Sequence, residues 1–137
     1  MSEHPVEIIL QYHFSNRELL DEALLAAGAS VSSKDIQGDA QGNKRLALLG
    51  DSVLREAILE PWYSSDESTG SNKMLSQVAR SSGLAKYIAQ NPCQQGQVPQ
   101  ETAASTVEAL VGAVYLDCGE NISTVRKVLE TIKLFTK

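Results

Sequence analysis

The chain has 137 residues, with 17 acidic and 12 basic side chains and a formal net charge of −5. That length suits one domain, spanning 1–137, with room for a real core. The acidic balance is the wrong sign for a protein whose main work is gripping phosphates through Lys and Arg, although it leaves room for a local basic patch. No run of about 18 apolar residues is present, so no transmembrane helix is expected. The opening Met-Ser-Glu-His-Pro-Val-Glu reads as neither a signal peptide nor an arginine-rich transit peptide. Cys93 and Cys118 are the only cysteines. They lack metal-ligand spacing and imply no disulfide framework, which suits free thiols in a reducing intracellular compartment: cytoplasm, nucleus or an organelle.

Taken in order, the chain reads as helices throughout. Pro5 can occupy the first turn of a short helix through Leu10, with Val6, Ile9 and Leu10 apolar. Ser15 and Glu18 have capping-box spacing. The helix they open carries Leu19, Leu20, Ala23, Leu24 and Ala27, and Gly28 is expected to end it. Residues 29–42 are rich in Ser, Gly, Asp and Gln, the composition of a loop.

A strong helix is expected over 43–59, stopping near Pro61 because the residue before a proline is pushed out of the helical region. Leu46, Leu49, Val53 and Ala57 fall on one line of it. Ala47, Leu54 and Ile58 fall on a second, and Leu48 and Leu59 on a third. A helix apolar around so much of its circumference is expected at the centre of the fold. Gly50 and Asp51 break its pattern. Glycine costs a helix interior up to about 1 kcal/mol relative to alanine, and a buried carboxylate needs partners. The pair calls for a close backbone approach at Gly50 and a ligand or hydrogen-bond partner at Asp51. Arg45, Arg55 and Arg80 are candidate partners if Asp51 is merely a satisfied core acid.

After a turn-rich linker, Ser71 is a candidate cap for a helix with Leu75, Val78 and Ala79 inward, closed by Gly83. A further turn or two covers 84–89, and 91–100 is a Pro- and Gln-rich loop. The second strong helix covers 101–118, with Val107, Leu110, Val111, Val114, Tyr115 and Cys118 on one face. Ala109, Gly112 and Ala113 on the adjoining face would let another helix come close. Asn121 or Ser123 caps a last helix with Val125, Val128, Leu129 and Ile132 inward. No strand-like alternation competes, so the expected architecture is an all-α bundle of about six or seven helices.

Leu-Ala-Leu-Leu-Gly-Asp-Ser-Val-Leu, residues 46–54, resembles the signature helix of the ribonuclease III family, usually Asn-Glu-Arg-Leu-Glu-Phe-Leu-Gly-Asp-Ser/Ala-Val-Leu. Residues 14–24 resemble the family's opening Phe-x-x-x-x-Leu-Leu-x-x-Ala-Leu. Residues 71–84 resemble its Asn-Lys…Ala-x-x-x-Gly-Leu segment. Val-Glu-Ala-Leu-Val-Gly-Ala-Val-Tyr-Leu-Asp, residues 107–117, is similar to its second catalytic helix. The order and spacing agree over nearly the whole chain. The resemblance implies an RNA-processing endonuclease fold that cuts double-stranded RNA with Mg²⁺ held by four carboxylates, two from each of these helices. No stretch of the chain is left over for the double-stranded-RNA-binding domain that many members append.

Carried over position by position, the catalytic and metal-binding acids implied here are Asp51 and Glu108. The other two positions hold Ala47 and Ser105, and a usual glutamate ahead of the motif is replaced by Lys44. The loop after the first helices reads Ala-Gly-Ala-Ser where the family often has Thr-His-Ser. Four carboxylates bring about −4 to two divalent ions and two bring about −2, so one loosely held Mg²⁺ or none is expected. Glu101, one turn before Ser105, is a candidate substitute acid. If the family resemblance is set aside, Glu108 reads as a solvated helix edge and Leu48 as an ordinary core leucine. With it, Leu48 occupies the position whose aromatic inserts into a partner subunit, so Leu48 and Val53 are the expected homodimer interface. The expectation is a degenerate, dimeric binding or scaffold module, with double-stranded RNA or a ribonucleoprotein as partner. The alternative is an active Mg²⁺-dependent endoribonuclease with an altered carboxylate set.

Overall fold

The computed structural model describes residues 4–25, 42–63, 72–88 and 100–132, and the side chains within them except at 58–63 and 72–74. These residues form six α-helices and one short 3-10 helix, with no strand among them. The helices are α1 (Pro5–Leu10), α2 (Arg17–Ala23), α3 (Lys44–Tyr63), α4 (Asn72–Ser82), α5 (Gln100–Asp117) and α6 (Ile122–Thr131), with the 3-10 turn at Leu84–Tyr87 after α4. The expected all-α architecture is what the chain adopts. No helix among the described residues is long and apolar enough to cross a membrane.

The bundle is built around α5. Ala103, Ala104, Val107, Ala109, Leu110, Val111, Gly112, Ala113 and Val114 are all buried. Burial on nearly every side, expected of α3, belongs to α5 instead. Helix α3 is buried along Leu46, Ala47, Val53, Leu54 and Ala57, but Lys44, Leu48, Ser52 and Arg55 form an exposed line at helical spacing. Among the described residues these two helices pack against each other most extensively, and α4 covers another side of α5. Leu75, Val78 and Ala79 on α4, and Val125, Val128, Leu129 and Ile132 in and just after α6, are buried as their spacing predicts.

Polar groups join the first two helices to the rest. Glu7 is fully buried in α1. It accepts backbone N–H bonds from His4 (2.8 Å) and Phe14 (2.7 Å), and it pairs with Arg17 (2.9 Å) and His13 (3.4 Å). Burial alone would raise its pKa, but these donors and cations outweigh it and hold the carboxyl below its ordinary value. His4 takes part in a capping box at this end, with Val6 N–H donating to its Nδ1 at 3.0 Å. The box expected at Ser15 and Glu18 does not form. Asn16 caps α2 instead, accepting the Glu18 N–H at 3.0 Å. The reason lies across the fold: Ser15 and Asn16 donate their backbone N–H groups to Asp117 at the end of α5, at 2.9 and 2.7 Å, and Tyr12 Oη–H donates to it at 2.6 Å.

Some boundaries differ from expectation, and others lie outside the described residues. Helix α2 ends at Ala23 rather than continuing to Ala27, because Leu25 turns its carbonyl to the Asn43 N–H at 2.7 Å. Gly28, the loop residues 29–41, Ser71, Cys93 and most of the 91–100 loop lie outside the described residues. Helix α3 passes through Pro61 and runs on to Tyr63 instead of stopping before it. Proline cannot donate to the carbonyl four residues back, which is Ala57 O. That oxygen accepts from Arg126 Nε at 3.0 Å. At the start of α6, Asn121 is the cap, accepting from Ser123 and Thr124 N–H at 2.9 and 3.2 Å.

Candidate functional site

The site exists because two helices cross at two glycines. A Cβ on Gly50 would land on the Glu108 carbonyl oxygen and lie 3.1 Å from Gly112 N. A Cβ on Gly112 would lie 2.5 Å from Leu46 O and 3.1 Å from Gly50 N. Here the close approach expected of Gly50 is met by a matching glycine on α5, in the small-residue face that the sequence singles out. The contact fixes Asp51, one residue after Gly50, against Glu108, one turn before Gly112.

Asn43 sets the near end of the crossing. It is buried, and its Nδ2 donates to Ala23 O at 2.8 Å and to Thr106 Oγ1 at 3.2 Å. It thus ties the end of α2 and the start of α3 to the middle of α5. Sequence reasoning missed this role. The available signal was a side-chain amide immediately before an apolar helix, which reads as a plain cap. On the solvent side, Arg45 makes a two-pronged contact with Glu22, both bonds at 2.7 Å, which directs it toward α2.

Between the helices lies a cavity of about 510 Å³. Asn43, Lys44, Ala47, Leu48 and Asp51 of α3 and the residue before it form one wall. Glu101, Thr102, Ser105 and Glu108 of α5 form the other. The four positions carried over from the family pattern, Ala47, Asp51, Ser105 and Glu108, therefore come together on one cavity. Glu101, the candidate substitute, lines it as well.

The two acids are partners of each other. Burial pushes Glu108 up to about 7, helped by its hydrogen bond to Asp51 and by the Asp51 charge, while Arg55 pulls the other way. When protonated, Glu108 donates its O–H to the Asp51 carboxyl group. Arg55, four residues after Asp51, reaches its Oδ2 at 3.1 Å. Both partners of that ion pair are well exposed, which limits it to about 0.3–0.5 kcal/mol. Of the three candidate arginines, it is Arg55 that pairs with Asp51. Among the described residues no group of three or more His, Cys, Asp or Glu side chains stands close enough to hold a metal ion.

The two expected interface residues part company. Leu48 is 68% exposed on the cavity rim, so it is no core leucine. Val53 is 4% exposed and belongs to the core of its own chain. Its side chain has no surface to offer a partner, because it lies on the α3 line that faces the bundle.

The fold is that of a ribonuclease III nuclease domain. It is similar to that domain of the Campylobacter jejuni enzyme in two solved structures. One has a TM-score of 0.76 at 22% identity and covers 93% of this chain and 94% of that one; the other has a TM-score of 0.74 at 22% identity, covering 93% and 91%. The ribonuclease III domain family model matches residues 44–119, more than half of the chain, and the chain belongs to that family. It is 32% identical to ribonuclease 3 of Buchnera aphidicola subsp. Schizaphis graminum over 90% of this chain and 57% of that protein. It is 33% identical to ribonuclease 3 of Borreliella burgdorferi over 84% and 52%. The chain thus spans about half the length of the curated relatives it matches.

Proposed function

We propose that this chain is a ribonuclease III-like domain linked to RNA processing whose own endonuclease activity is weak or nil. In this reading it acts as a homodimeric binding or scaffold module for double-stranded RNA or a ribonucleoprotein, inside the cell. The observation that carries the reading is the cavity wall: Ala47 and Ser105 stand where the family pattern has carboxylates.

Mg²⁺ needs about six hard oxygen ligands and gives up its waters reluctantly. Asp51 and Glu108 would hold one ion, and Glu101, Thr102 and Ser105 are the other oxygen-bearing side chains of α5 that line the cavity. A bound Mg²⁺ would polarise a phosphoryl oxygen and lower the pKa of a water. The donor set fits a single ion poorly. Glu108 must first release a proton it keeps up to about pH 7, and Asp51 is already paired with Arg55. It does not fit two ions, whose mutual repulsion two carboxylates barely offset. Calorimetric titration with Mg²⁺ and with Mn²⁺ should show one weak site or none. Two ions bound at micromolar concentration would overturn the reading.

Self-association is supported by Leu48, a large apolar side chain left in water on the rim of the site. The Campylobacter jejuni nuclease domain, to which the fold is similar, has a region involved in dimer formation. Sedimentation at micromolar concentration tests this, and a monomer would refute it. The net charge of −5 argues that RNA affinity, where present, is modest and local.

A second reading has one observation in its favour. Glu101 lies on the cavity wall together with Asp51 and Glu108. In that reading the chain is an active Mg²⁺-dependent endoribonuclease with an altered acid set. Cleavage of double-stranded RNA that is lost in Glu101→Gln would select it.

A further inference from the structure

Ala57 is 0% exposed, so its carbonyl oxygen lies away from water. In an α-helix that oxygen accepts from the N–H four residues on. Here that residue is Pro61, which has no N–H, although the helix continues through it to Tyr63. A buried carbonyl left without a donor is costly, and such groups are nearly always paired. The donor comes from outside the helix. Arg126, on α6, places Nε 3.0 Å from Ala57 O, across 69 positions of sequence. The bond is charge-assisted, the stronger kind. It is the one defect in the backbone of α3 that the sequence makes certain, and it is met by a side chain of the helix packed against it.

We propose that Arg126 and Pro61 form a matched pair, in which α6 splints the break in α3. The last turn of α3 and the docking of α6 are then one cooperative unit. Undocking α6 removes the donor that stands in for the Pro61 N–H at Ala57 O and frees the turn after it. The arrangement also sets a direction. A chain with an ordinary residue at 61 would have little need of Arg126, because Ala57 O would already be satisfied by a helical N–H.

A double-mutant cycle tests this on the full chain. Arg126→Met keeps an apolar stem and removes the donor. It should lower the folding equilibrium constant roughly tenfold, the loss expected for a bond to a charged group. Pro61→Ala restores the helical N–H, and in that background Arg126→Met should cost about twofold or less. The entropic effect of removing proline cancels within the cycle. Amide exchange gives an independent reading: the Trp62 and Tyr63 N–H groups should exchange faster in Arg126→Met and recover in the double variant. An equal loss in both backgrounds, or no loss in the presence of Pro61, overturns the proposal. If Arg126→Met proves too unstable to study, the double variant decides: rescue supports the pairing and failure to rescue overturns it.

Discussion

Replacing Gly50 with alanine should force apart the two helices that carry Asp51 and Glu108. By intrinsic propensity the change is favourable, by up to about 1 kcal/mol for a helix interior. The surroundings reverse the sign. The new methyl group would land on the Glu108 carbonyl oxygen, and Gly112 N would lie 3.1 Å away. Both obstacles are backbone, so no rotamer change relieves them. Ordinary contact begins near 3.4 Å. Helix α5 must therefore move away from α3 by more than an ångström, along the most extensive helix contact among the described residues. Forcing an extra methyl group into a packed core typically costs about 1–3 kcal/mol, and a contact with rigid backbone belongs at or above the top of that range. With the propensity gain set against it, a net loss of about 2–3 kcal/mol is a large share of the 5–15 kcal/mol that holds a typical domain. Urea denaturation monitored by circular dichroism would measure it, with exposed Ser52→Ala as a control expected within about 0.5 kcal/mol of wild type. If Gly50→Ala is as stable as the parent, or more so, the α3–α5 crossing cannot be as close as these distances require.

Leu48→Asp should leave the fold intact and abolish the proposed self-association in sedimentation, because the side chain is exposed in the single chain. Val53→Asp should unfold it by placing a charge in the core, so a folded Val53→Asp chain would contradict the burial of that side chain. Glu7 and Asp117 titrate below their ordinary values of 4.5 and 3.8, so the stability they confer is present above those values and lost as pH falls. Glu108 acts in the opposite sense. Between 4.5 and about 7 the folded state holds the proton more tightly than the unfolded state, so stability falls as pH rises through that window. Urea midpoints measured from about pH 3 to about pH 8 should therefore peak in the mildly acidic range, and Asp51→Asn should flatten the upper arm. A Glu108 carboxyl seen by NMR to titrate near 4.5 would remove the basis for this. If missing charge is the only catalytic defect, Ala47→Glu with Ser105→Asp should introduce Mg²⁺-dependent cleavage of double-stranded RNA. Either change alone should do little, since groups that act as a unit are not additive. Failure of the pair would turn suspicion to Lys44 and the loop from Ala29.

Much of the fold is legible in the sequence because it is carried by helical spacing. The inward faces of α4, α5 and α6 follow directly from apolar residues three and four apart. The crossing is legible too, since Gly50 and Gly112 are conspicuous in otherwise apolar helices. What spacing does not reveal is which lines of a central helix face outward. Leu48 and Val53 look alike as apolar residues of one helix, yet one is on the surface and the other in the core. Helix ends depart from local rules where a distant residue intervenes. Asp117 claims the backbone ahead of α2, Leu25 turns to Asn43, and Arg126 supplies the bond that Pro61 cannot. Each of these partners is remote in sequence, beyond the reach of capping and propensity arguments. At the site, the convergence of Asp51 with Glu108 follows from family spacing. Their sharing of a proton depends on burial and on the contact between the side chains.

The central claim is that this cavity lacks the charge to run metal-assisted RNA cleavage. Its most direct test is to incubate the purified chain with a long double-stranded RNA at millimolar Mg²⁺ and at a pH well above 7, where Glu108 is largely deprotonated. The expected result is no cleavage above a protein-free control. Robust cleavage that disappears in Asp51→Asn would contradict it and establish the chain as an active nuclease.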